Sequence, residues 1–264
     1  MLHNKERCEL RFSNKYNSQT QGLGATRSNI LRLLRSLDLV GWSTHEESGR
    51  IDRKAFTRFS TGSTAIFSKR EHVDAERSAV SILIDCSGSM GNDRRINNAQ
   101  DVAIQLSRIL DKANVSFSVT GFYGNQNVER LRGKGLKDTT RENVTFLPFK
   151  TWKENLARAS AKLGAIDLCA DNSTPDYSAL SLSLEDLSRR DEQRKILFIL
   201  TDADGYDKSH TKHLQSLADS LNIKIIAIGM GRAEVSEFFK NGSNVTDVRD
   251  LASASFNKVL QVLK

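Results

Sequence analysis

Oxygen-bearing side chains recur at three places in the sequence with spacings that suit metal chemistry. Asp85-Cys86-Ser87-Gly88-Ser89-Met90-Gly91 offers a carboxylate and two hydroxyls at i, i+2 and i+4. Asn172-Ser173-Thr174-Pro175 offers a loop hydroxyl just before a helix, and Leu200-Thr201-Asp202-Ala203-Asp204-Gly205 offers a second carboxylate. An all-oxygen set built from Asp85, Ser87, Ser89, Thr174 and Asp202 suits a hard cation, Mg²⁺ first, with Mn²⁺ and Ca²⁺ as competitors. If the carboxylates act through water, the direct shell is mainly neutral hydroxyls. The ion then stays electrophilic, and an outside Asp or Glu becomes a favourable last ligand. Gly88 and Gly91 are read as the residues that allow the tight turn. Cys86 is read as packing, Asp204 as a loop cap, and His210 and His213 as a solvated helix face rather than a zinc site.

Catalytic readings lack their parts. No GxSxG elbow surrounds Ser87, and Gly133-Lys134-Gly135 is not a P-loop. An aspartyl-phosphate enzyme would want a second Asp where Ser87 stands. The chain is therefore expected not to catalyse alone, with a metal-dependent hydrolase as an alternative.

The elements that must carry these residues are legible from residue 79 onward. Ala79–Ile84, Val115–Phe122, Lys195–Leu200 and Lys224–Ile228 read as strands, Val144–Phe149 as a further one, with a short strand near Val245. Ile96–Leu110, Leu156–Leu163, Tyr177–Leu187 and Ser209–Leu221 read as helices, as do Val235–Phe239 and Leu251–Leu263. Apolar strands alternating with amphipathic helices predict an α/β fold: a Rossmann-like, doubly wound, mainly parallel sheet flanked by helices. Ligands in such sheets bind at the carboxyl ends of strands, where the three oxygen-rich segments fall. The expected organisation is a basic N-terminal segment, 1–75, packing on the main domain or on a partner, and a domain over 76–264. Residues 1–24 read as an irregular arm and 27–37 as a helix.

Asp85-x-Ser87-x-Ser89, Thr174 before Pro175, and Asp202 at a Thr-Asp strand end together resemble the metal-ion-dependent adhesion site (MIDAS) of von Willebrand factor A (VWA) domains. The stretches over 172–207 and 223–231 look more narrowly like the C-terminal VWA domain of the cobalt chelatase subunit CobT, and 48–70 is similar to its approach segment. One departure is Asp202-Ala203-Asp204-Gly205, where that family often has Asp-Gly directly. The resemblance implies a Mg²⁺-dependent protein-interaction module. It would work beside an AAA+ ATPase of the MoxR/CobS type in metal chelation or target remodelling, and its target would bear an acidic residue.

The chain has 264 residues and a net charge of +7, of which residues 1–78 contribute +5. That excess, with Arg94-Arg95 and Arg130–Lys137, keeps a nucleic-acid-binding reading of the Ro type as an alternative. Aromatic residues suited to base stacking are too sparse among these charges to favour it. Three cysteines without CxxC spacing argue against a disulfide framework. With no apolar leader and no run near the ~20 residues of a membrane span, the expected location is the cytoplasm.

Overall fold

A computed structural model describes residues 2–18, 40–46, 48, 50–51, 67–72, 77–124, 143–171, 173–231 and 234–245. By its contacts the chain divides into two units, residues 34–76 and residues 1–33 together with 77–264. The smaller unit holds a three-stranded antiparallel sheet: β1 (Val40–Glu46), β2 (Arg50–Ile51) and β3 (Phe67–His72), in the order β1-β3-β2. β1 pairs Val40 with His72 and shifts register between Thr44 and Glu46.

The larger unit is built on six strands. β4 (Ser78–Asp85), β5 (Ser116–Gly124), β6 (Val144–Lys150), β7 (Arg194–Thr201), β8 (Ile223–Met230) and β9 (Gly242–Val245) lie in the order β6-β5-β4-β7-β8-β9. All neighbours are parallel except β5 and β6. Every residue of β4 is buried, as a central strand covered on both faces requires. The chain leaves β4 for β5 on one side and later returns to β7 on the other. The switch point of the sheet therefore lies at the carboxyl end of β4.

Helices cover both faces. α2 (Arg95–Lys112) and α3 (Leu156–Leu163) lie on one side, where α2 crosses β4, β5 and β8. α4 (Asp176–Ser188) and α5 (Lys208–Ser220) lie on the other. There Leu180, Leu184, Leu187 and Leu214 pack on Leu83, Leu197, Ile199 and Ile225 in one buried cluster. Truncating one such leucine to alanine costs about 2–5 kcal/mol. These elements match the alternation read from the sequence to within a residue or two. Val235–Phe239 forms only a 3₁₀ turn at Val235–Glu237. The expected helices at 27–37 and 251–263 lie outside the described residues.

The N-terminal reading needs correction. Leu2–Ser18 is a helix, α1, rather than an irregular arm. Its own pattern is weakly apolar, and contacts with α2 and α3 define it. Cys8 is buried, Arg11 pairs with Asp167 at 3.0 Å, and Lys15 pairs with Asp101 at 2.5 Å. Gln105 and Arg108 of α2 donate to the carbonyls of Lys15 and Tyr16 at 2.8 and 2.7 Å, satisfying groups at the helix end that have no intrahelical partner. At Gly164, which ends α3, a Cβ would sit 1.9 Å from the Cys8 carbonyl oxygen, so only glycine lets α1 approach this closely.

Candidate metal centre

The end of β4 places Asp85 beside the switch point with no exposed surface. Its Oδ1 accepts from the Ser87 backbone N–H at 2.9 Å, which curls the chain so that Ser87 and Ser89 share a side. Their hydroxyl oxygens lie 3.1 Å apart. Asp85 Oδ2 accepts from the Thr201 hydroxyl at 2.7 Å, a bond that ties the ends of β4 and β7 together. Thr201 Oγ in turn accepts from the Ala203 N–H at 2.9 Å, shaping the loop after β7. Burial pushes the Asp85 carboxyl up to about 6; the bonds from Ser87 and Thr201 oppose that rise, and the nearby charge of Asp202 adds to it.

Asp202 is also buried. Its Oδ1 accepts from the Asp204 N–H at 3.1 Å, and its Oδ2 accepts from Arg95 Nη1 at 2.8 Å. Thr174 is half-buried in a loop fastened at two points. The Asp171 N–H donates to the Cys86 carbonyl at 2.8 Å, and the Gly124 N–H donates to the Ser173 carbonyl at 2.8 Å. A Cβ at Gly205 would lie 3.9 Å from the Thr174 Cβ, so this loop also neighbours the loop after β7. The hydrogen bonds join Asp85, Ser87, Ser89 and Thr201 directly. Asp202 follows in the chain, and Thr174 comes in on the adjoining loop.

Other readings are sharpened or changed. Cys86 is buried, its thiol pushed well up by burial, and its sulfur points at β5, where a Cβ on Gly121 would meet it at 2.7 Å. Gly88 and Gly91 do not supply left-handed backbone. Asp93 and Arg94 do, at φ of 48° and 59°. The cap of α5 is Asp207, with its carboxylate accepting from the N–H groups of Ser209 and His210. His210 and His213 flank the Tyr177 ring, with centroids 5.1 and 6.1 Å away. Two site residues escape sequence reading. Thr201 was visible only as the neighbour of Asp202, and Arg95 only as half of a basic pair.

The donors fit a hard divalent cation. They are hydroxyls and carboxylates at strand ends.

Strand order and flanking helices together define a von Willebrand factor A domain. The family model for the VWA domain of the cobalamin biosynthesis protein CobT matches residues 66–264, and the chain belongs to that family. Similar solved structures include proximal thread matrix protein 1 from the mussel byssus, at 16% identity and a TM-score of 0.48 over 71% of this chain and 46% of that one. The manganese-loaded Plasmodium vivax TRAP protein is similar at 15% identity and 0.49, over 70% and 74%. The SpRpn10 VWA domain is similar at 16% and 0.49, over 66% and 93%. No helix among the described residues is long and apolar enough to cross a membrane.

Proposed function

We propose that this chain is a Mg²⁺-dependent protein-interaction module of the CobT type, the partner of a MoxR/CobS-type AAA+ ATPase that supplies the energy for metal chelation or target remodelling. The observation that carries this reading is the gathering of Asp85, Ser87, Ser89 and Thr201 in one hydrogen-bonded group at the switch point, with Asp202 adjoining. Membership of the CobT family supports the partnership.

In this reading Ser87, Ser89 and Thr174 offer hydroxyls, and Asp85 and Asp202 supply charge directly or through water. A bound Mg²⁺, with Mn²⁺ or Ca²⁺ as competitors, supplies an electrophile for one outside carboxylate. Thr201 holds Asp85 in its rotamer, and the backbone N–H groups of Ser87 and Asp204 orient the two carboxylates. The acidic target docks where the three loops meet. Residues 1–75 form the basic segment of the chain, and 76–264 the VWA domain. In this reading the energy-consuming step belongs to the ATPase.

The test is a pull-down of the ATPase and target partners with and without Mg²⁺. Asp85→Ala should abolish the Mg²⁺-dependent capture while the circular dichroism spectrum stays native. Capture that is unchanged in EDTA overturns the reading.

A further inference from the structure

Both Asp202 oxygens are engaged: Oδ2 accepts from Arg95 and Oδ1 from the Asp204 N–H. The Arg95 side chain is 24% exposed against 1% for Asp202, so the pair sits largely out of water. Several features aim the guanidinium there. Asp93 and Arg94 adopt consecutive left-handed backbone, an uncommon state for two non-glycine residues, and α2 starts directly after them with Arg95. Gly231, at φ 88° beyond the end of β8, lies alongside the arginine: a Cβ there would meet Nε at 3.3 Å and Cγ and Cδ at 3.6 Å. Asp93 lies 3.6 Å from Nη2, and Nε has no hydrogen-bond partner among the described residues. A side chain that leaves a buried N–H unsatisfied is held by its other contacts, here chiefly the Asp202 carboxylate.

We propose that Arg95 is a built-in counter-cation of the metal centre: it holds the Asp202 carboxylate in place without metal, and it limits how tightly a divalent cation binds. The proposal rests on the cation-site reading above. A buried carboxylate is costly unless paired, so the metal-free fold needs a positive partner at this position. A divalent cation taken up beside Asp202 would either displace the guanidinium or accept a like charge next to the same carboxylate, and both would weaken binding. Arg95 is thus a positioning residue, and its effect on affinity comes through charge.

The experiment titrates MgCl₂ and MnCl₂ calorimetrically into the full chain, comparing wild type, Arg95→Gln and Arg95→Lys. Arg95→Gln should bind both ions about tenfold tighter and melt lower in EDTA, with a larger rise in Tm on saturation. Arg95→Lys, which keeps the charge, should stay within about threefold of wild type. A purely structural arginine would not separate the two variants in this way. Equal affinities for wild type and Arg95→Gln, or equal tightening in both variants, overturn the counter-cation and leave the cation site standing. Flat isotherms for all three proteins overturn both. If Arg95→Gln unfolds in EDTA, recovery of its circular dichroism on adding Mn²⁺ reports the same coupling. Failure to recover at a concentration that saturates wild type overturns the proposal.

Discussion

Asp85 illustrates how a buried carboxylate is stabilised one group at a time. Without Ser87 and Thr201 its burial would be still more costly, and even with them the carboxyl is pushed up to about 6 from an ordinary 3.8. A group whose folded pKa lies above its unfolded value favours folding fully below the unfolded pKa and loses that contribution as pH rises through the folded one. In EDTA, stability should therefore fall between about pH 4 and pH 6, by about 3 kcal/mol from this group. Asp85→Asn, which cannot ionise, should flatten that part of the profile. Urea unfolding midpoints across pH 4–7.5 for both proteins check this, and an unchanged slope in Asp85→Asn argues against the assignment. The same residue shows how far local spacing reaches. Asp85-x-Ser87-x-Ser89 was readable because the turn is made by the Asp85 carboxylate and the Ser87 N–H two residues on. Thr201 and Arg95 were not, because they meet Asp85 and Asp202 across 116 and 107 residues.

At the scale of elements, the strands and helices of the larger unit follow from hydrophobic periodicity. β4, β7 and β8 are runs buried on both faces, and α2 carries Ala99, Val102, Ala103, Leu106 and Leu110 on its buried side. α1 obeys a different rule. Its sequence lacks a strong apolar stripe, and its place depends on Cys8, Arg11 and Lys15 finding partners on other elements. The narrowest point of that contact is Gly164 against the Cys8 carbonyl. Gly164→Ala should push α1 away at a cost of about 1–3 kcal/mol, the usual range for overpacking. Limited proteolysis should then cut within 2–18 first, while thermal unfolding of the sheet stays cooperative at a lower Tm. Native resistance to protease in this variant would show that α1 does not depend on that approach.

At the scale of the molecule, charge and core are unequally shared. Residues 1–78 hold +5 of the +7, whereas the buried apolar clusters of the larger unit are built mainly from residues beyond 78. Arg95, one of the basic residues that kept a nucleic-acid reading open, is engaged with Asp202, and Arg130–Lys137 lies outside the described residues. Residues 2–18 by themselves should show no cooperative thermal transition, because helix α1 takes its partners from α2, α3 and Asp167. A sharp calorimetric peak from that segment alone would refute this.

The sequence alone determined the alternation of strands and helices, and with it the doubly wound sheet. It also determined which loops carry the Asp, Ser and Thr side chains at the strand ends, since burial period and short turn motifs act between residues a few positions apart. Only the tertiary structure decided that Thr201 braces Asp85, that Arg95 pairs with Asp202, that Asp93 and Arg94 take up left-handed backbone before α2, and that the N-terminus docks as a helix. Each of these depends on packing that brings distant residues together, or on backbone strain that only the packed fold can hold, and neither leaves a mark in local sequence pattern.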